Sequence, residues 1–187
     1  MRKFRIFLTL SVFVITLTSQ LLGGTLAGVT LPDTAQVGNR TLVLNGMGLR
    51  KKYMVKVYVA GLYLEQKSSD PGAILKADAA KRIVMHFVRG VTKNQIVDGF
   101  NESFADNTPD AKQTMKAEID QFLGAIDSVH DGDEILFTYL PGTGTIVTIN
   151  GKEKVTIAAP AFAPVLFSVW LGPKPPSSDL KSGVLGW

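Results

Sequence analysis

Residues 42–64 constrain the fold of this chain more than any other stretch. Valines and tyrosines are dense there, and Tyr53, Val55, Val57 and Val59 alternate with Met54, Lys56, Tyr58 and Ala60. A period of two built from β-branched and aromatic residues fits a pleated surface and not a helix, so the region predicts sheet. Residues 82–88 (RIVMHFV) predict another strand, ended by Gly90. Residues 134–140, 145–150 and 154–158 predict a strand series. Their links, Pro141-Gly142-Thr143-Gly144 and Asn150-Gly151, are hairpin signals, because Asn-Gly accepts the positive φ of a tight turn.

Helices fill the remaining space. Thr92 with Gln95 three residues on reads as a capping box, opening a helix whose apolar face is Ile96, Val97, Phe100 and Phe104. Thr108-Pro109 starts a second, with proline in the first turn and a stripe of Met115, Ile119, Phe122, Leu123 and Ile126. A third apolar helix is expected over 161–171, before the break Gly172-Pro173-Lys174-Pro175-Pro176, and Ser178 is expected to cap a short last helix. Strands, helices, strands, helices in that order predict an α+β domain, an antiparallel sheet with helices packed on one face.

The N-terminus has a separate pattern. Arg2, Lys3 and Arg5 precede an apolar run over 6–22, and Thr25-Leu26-Ala27 offers small residues where a signal peptidase reads. Threonines, serines and Gln20 interrupt the run, which falls short of the roughly 20 apolar residues a membrane span needs. The expectation is a cleaved signal peptide over 1–27, with residues 28–187 forming one domain in the periplasm or outside the cell. The leader holds three of the 20 basic residues and none of the 16 acidic ones, so the remainder carries a net charge of +1. Nothing in that balance asks for nucleic acid. The chain has no cysteine, which excludes thiolate metal sites, cysteine nucleophiles and disulfides, and leaves burial to hold the fold.

Chemistry is sparse. Of the two histidines, His86 sits in a strand pattern with Val84 and Val88, and His130 in the charged turn His130-Asp131-Gly132-Asp133. No GxSxG elbow accompanies them, and both read as structural. Asp127, Asp131 and Asp133 lack the loop grammar of a calcium hand. Gly142-Thr143-Gly144 precedes a strand, so it cannot cradle a phosphate on a helix N-terminus. The residues predict no catalytic group, no metal site and no cofactor.

One resemblance goes further. Leu44-Asn45-Gly46-Met47-Gly48-Leu49-Arg50-Lys51-Lys52, running into 56–64 (KVYVAGLYL), resembles the signature of the chalcone isomerase-like family. The tail Phe167-Ser168-Val169-Trp170-Leu171-Gly172, with Asp179-Leu180-Lys181 and Leu185-Gly186, is similar to the family's C-terminal helices. The resemblance implies an antiparallel sheet with helices on it, enclosing an apolar ligand cleft. True isomerases use an arginine in a Gly-x-Arg segment, a strand threonine, a helical Tyr and Asn, and a late Thr. Here Arg50 matches the arginine. Tyr58 replaces the strand threonine, the helical pair falls near Asp110 and Ala117, and the late threonine at Val169. Four of five polar groups are thus lost, which argues against ring closure of a chalcone.

The family's fatty-acid-binding members hold a carboxylate with the same arginine plus a tyrosine of the strand's Val-Tyr pair, and Arg50 and Tyr58 match both. A guanidinium offers a two-pronged donor for a carboxylate, and a phenol adds a donor without charge. The resemblance therefore implies a non-catalytic binder of a fatty acid, with Arg50 and Tyr58 as ligand-binding residues and the helical faces 96–104 and 115–126 as lining. An intramolecular lyase on another substrate, and an accessory protein with a collapsed cleft, are the alternatives. In one straight strand Arg50 and Tyr58 would stand about 26 Å apart, at roughly 3.3 Å per residue. A shared headgroup requires the chain to turn, and Arg50-Lys51-Lys52 is the expected place.

Overall fold

The computed structural model describes residues 23–187. Nine strands and six helices follow in the order β1 (Gly24–Leu26), β2 (Val29–Leu31), β3 (Thr34–Val37), β4 (Arg40–Lys52), β5 (Val55–Leu64), α1 (Pro71–Lys76), β6 (Lys81–Phe87), α2 (Lys93–Asn107), α3 (Ala111–Thr114), α4 (Lys116–Gly124), β7 (Glu134–Leu140), β8 (Gly144–Ile149), β9 (Lys152–Ile157), α5 (Phe162–Leu171) and α6 (Ser178–Leu185). β3 to β9 form a seven-stranded antiparallel sheet in sequence order, a curled meander with the helices against it. The expected α+β class stands. Among the described residues, no helix is long and apolar enough to cross a membrane.

The sheet's two faces explain the density of apolar residues in β5. Tyr58, Ala60, Leu62 and Leu64 point into the main core, where Phe100, Phe122, Phe137 and Trp170 pack edge to face. Val59 and Tyr63 point the other way, into a smaller core closed by Val29, Leu31, Leu42 and Leu44. The helices thus cover one face, as expected, and the β1–β2 hairpin covers part of the other. A strand buried on both faces loses simple alternation of apolar and polar residues.

Several boundaries differ from the sequence reading. The helix expected from Thr108-Pro109 is broken at Met115, whose φ of −134° separates α3 from α4. The last helix is capped by Ser177, which accepts from the Leu180 N–H, one residue before the expected cap. α1 is additional: Asp70 accepts from the Gly72 and Ala73 N–H groups and Pro71 opens the helix, a start signal carried by capping and not by apolar periodicity. The Thr92–Gln95 capping box is present in both halves.

The expected leader lies, up to residue 22, outside the described residues. Its last residues are described: Gly24–Leu26 pairs with Val29–Leu31, and Ala27-Gly28 forms the turn. Val29 and Leu31, both on the far side of a cut after Ala27, are the hairpin's buried side chains.

The Gly46-Met47-Gly48 run allows α6 to lie directly on β4. A Cβ on Gly48 would come within 2.3 Å of the Leu180 carbonyl oxygen, and one on Gly183 within 2.3 Å of the Met47 carbonyl oxygen. Asn45, just before, is buried and fully engaged. Its Nδ2 donates to the Ser68 and Val184 carbonyls at 3.0 and 2.9 Å, and its Oδ1 accepts from the Ser68 N–H at 2.8 Å. One side chain therefore ties the segment before α1 and the end of α6 to the sheet.

Candidate functional site

Arg50 and Tyr58 are Cα partners across the β4–β5 ladder. The reversal is not at Arg50-Lys51-Lys52, as expected, but at Tyr53-Met54, which both hold positive φ (50° and 67°) between the paired Lys52 and Val55. A two-residue hairpin pairs residues an odd number of positions apart, as Lys51 with Lys56. Arg50 and Tyr58 are an even number apart and would fall on opposite faces. A register shift between Arg50 and Lys51 leaves Val57 as an extra residue on β5 and restores the shared face. Directly opposed residues hold their Cβ atoms about 4.5–5.5 Å apart, close enough to serve one small group.

Both side chains line one cleft of about 560 Å³, between the outer ends of β4–β6 and α2. Val57, Met85, Phe87, Ile96, Phe100 and Val169 give it an apolar floor. Its rim is polar, with Gln95, Glu102, Ser103 and Asp106 on the α2 side and Lys52, Arg89 and Lys174 around the mouth. The Pro-rich break is part of the wall, through Pro175 and Pro176, and Asn107 pins it by donating to the Lys174 carbonyl and accepting from the Lys174 N–H. α4 takes no part in the lining. Ile119 and Phe122 are spent in the main core, so the expected lining by 115–126 is corrected, and of 96–104 it is the Ile96–Phe100 side that faces the cleft. Behind the floor the aromatic cluster fills the interior, so the open space runs along the cleft and does not continue into the core.

The donors at the site are partly used and partly open. Arg50 Nη1 donates to the Lys51 carbonyl at 2.6 Å and the Pro176 carbonyl at 2.7 Å, which fixes the guanidinium over the mouth. Its Nε and Nη2 have no hydrogen-bond partner among the described residues. The Tyr58 oxygen accepts from Trp170 Nε1 at 3.3 Å. An indole only donates, so the phenolic proton remains free for another acceptor. Burial pushes the Tyr58 pKa up to about 12, against the Trp170 hydrogen bond and the Arg50 charge, which both lower it. The phenol therefore keeps its proton at any ordinary pH. The sequence alone does not mark Trp170 as a site residue. The available signal was that a tryptophan in an apolar helix needs an acceptor for its N–H once buried.

The other candidates fall elsewhere. His86 is half-buried on the opposite face, its Nδ1 2.9 Å from Glu134. His130 is solvated, and Asp127 pairs with Lys154. Of the positions matching the polar groups of true isomerases, Val169 lines the cleft, whereas Asp110 and Ala117 do not.

Sheet topology, the glycine-mediated seat of α6 and this cleft coincide with a family assignment: the chain belongs to the chalcone isomerase-like family, whose model matches residues 23–186. Among solved structures it is similar to a fatty-acid binding protein of Arabidopsis thaliana, with a TM-score of 0.65 at 17% identity, over 84% of this chain and 92% of that one. At that identity the likeness is one of fold. No curated protein sequence matches.

Proposed function

We propose that the cleft binds a fatty acid or a similar apolar carboxylate without converting it. The observation that carries this reading is the pair Arg50 and Tyr58, opposed on one sheet face with donors still open at the mouth of an apolar cleft. A carboxylate can take a charge-assisted bond from the guanidinium and a neutral one from the phenol. The acyl chain then gains roughly 0.8 kcal/mol per buried CH₂ along the floor. A cleft of this size lies within the roughly 300–1,000 Å³ of small-molecule sites. The structural likeness to a fatty-acid binding protein supports the same ligand class. A phenol with its pKa near 12 is a steady hydrogen-bond donor and a weak proton donor, which favours binding over a lyase reaction. The open cleft speaks against the collapsed-cleft alternative.

The test is retention of palmitate by native mass spectrometry and titration. Arg50→Ala removes a charged donor, so affinity is expected to fall roughly tenfold to a hundredfold. Tyr58→Phe should cost a few-fold, and the alcohol of equal chain length should bind more weakly than the acid. Equal palmitate occupancy in wild type and Arg50→Ala would remove the reading.

Export belongs to the same proposal, with the leader 1–27 directing the chain to the periplasm or the medium. A cut after Ala27 sheds β1 but keeps the buried Val29 and Leu31. The intact mass of the protein outside the cytoplasm reads the cut; recovery only in the cytoplasm at full mass would count against it.

A further inference from the structure

Among the described residues four large hydrophobic side chains are strongly exposed, and three of them are consecutive: Tyr53, Met54 and Val55, at 89%, 88% and 44%. They form the tip of the β4–β5 hairpin. Tyr53 and Met54 occupy both positive-φ positions of its two-residue turn. The same kind of turn joins β8 to β9, where Asn150-Gly151 occupies it. Small or polar residues satisfy that backbone with less strain, so folding does not ask for an aromatic and a methionine here.

The tip is also strongly basic. Lys51, Lys52 and Lys56 are exposed, and none forms an ion pair among the described residues. No acidic residue occurs in the sequence between Asp33 and Glu65. Lys52, Tyr53 and Val55 make one lip of the cleft, with Arg89 beside the same mouth. Bulky apolar tips flanked by unpaired cations, at the entrance to an apolar cleft, define a surface of particular chemistry. Its charge complements phosphate-bearing headgroups, and its tyrosine suits the depth at which lipid headgroups meet acyl chains.

We propose that the 51–56 tip docks the protein on an anionic lipid bilayer, with lysines on headgroup phosphates and Tyr53 and Met54 in the interface. The contact stands independently of what fills the cleft. Its consequence, that the mouth faces the membrane when an acyl ligand is collected or delivered, rests on the fatty-acid reading. An acidic protein surface and a second copy of the chain are the competing occupants.

The test is co-sedimentation of the processed protein with vesicles of phosphatidylcholine alone or containing about one-third phosphatidylglycerol. Binding to the anionic vesicles, weakened by salt, is expected. Each lysine near an anionic surface contributes roughly fivefold, so Lys51→Gln with Lys56→Gln should lower vesicle affinity by roughly thirtyfold. Neither residue lines the cleft, nor does Met54, and Met54→Ser should weaken vesicle binding severalfold. Palmitate retention in these variants should match wild type. Arg50→Ala should do the reverse, losing palmitate while still sedimenting, which separates failure of the docking surface from failure of the binding site. Equal affinity for neutral and anionic vesicles, or no loss in the double lysine variant, overturns the proposal. So does self-association at micromolar concentration that Met54→Ser abolishes, which assigns the tip to a second copy.

Discussion

Replacing Gly48 with alanine adds one methyl group where the structure has no room for it. The new Cβ would lie 2.3 Å from the Leu180 carbonyl oxygen and 3.0 Å from both the Leu180 Cα and carbonyl carbon. All three are backbone atoms, so no side chain can rotate aside; α6 must move off β4. Overpacking costs about 1–3 kcal/mol, and a clash with main chain belongs at the upper end. Against it, alanine in a strand regains about 0.5–1 kcal/mol of backbone entropy. The net is a loss of about 2 kcal/mol, or about 4–8 °C in Tm for a domain of this size. Gly99, in the middle of α2, is the control, because a Cβ there meets nothing within 4 Å. Gly99→Ala should raise stability by about 0.5–1 kcal/mol, the ordinary helix propensity gain. Urea denaturation followed by circular dichroism measures both. A Gly48→Ala protein as stable as wild type would refute the argument that α6 rests on bare backbone.

Gly183→Ala probes the same contact from the helix side, where a Cβ would meet the Gly48 Cα at 2.8 Å. Once α6 has shifted, the second methyl costs less, so the double variant should fall short of the sum in denaturation experiments. Asn45→Ala breaks three hydrogen bonds, one buried and two part-buried, and should cost about 3 kcal/mol, read as a lower urea midpoint with unchanged m-value. The Tyr58 phenol has a folded pKa above its unfolded value of 10.0, so its contribution to stability is intact below pH 10 and is lost as pH rises towards 12. Over that window it should remove about 1.4 kcal/mol per pH unit, and Tyr58→Phe should make the profile shallower by that share, the rest of the slope belonging to Tyr63 and Tyr139, whose phenols are likewise raised to about 12. An equally steep profile in the variant would assign the slope to other groups.

Much of the fold is legible in the sequence because its elements carry strong local signals. The Thr92–Gln95 box, the Asn150-Gly151 turn and the apolar run before Gly172 each determine a structure by short-range chemistry. The break at Met115 has no such marker, since the helical stripe continues through it. The site is legible only in part. Arg50 and Tyr58 are visible through resemblance, but their meeting depends on an extra residue at Val57, and bulges leave no reliable trace in composition. Spacing gives one hint, because an even separation across a two-residue turn is incompatible with direct opposition unless the ladder slips. The turn itself was hidden, since Tyr53 and Met54 continue the alternation of a strand while standing at positive φ. Trp170 and Pro176 join the site through tertiary contacts more than 110 residues from Tyr58 and Arg50, beyond the reach of local pattern.

The hydrogen bond from Trp170 to Tyr58 gives the molecule a natural fluorophore in the wall of its cleft. The chain's other tryptophan, Trp187, is 68% exposed, whereas Trp170 is fully enclosed. A water-soluble quencher therefore silences one indole and spares the other, leaving emission from the buried ring alone. Whatever settles against the phenol alters the electric field at that ring, so the colour and lifetime of its light record occupancy without any added label.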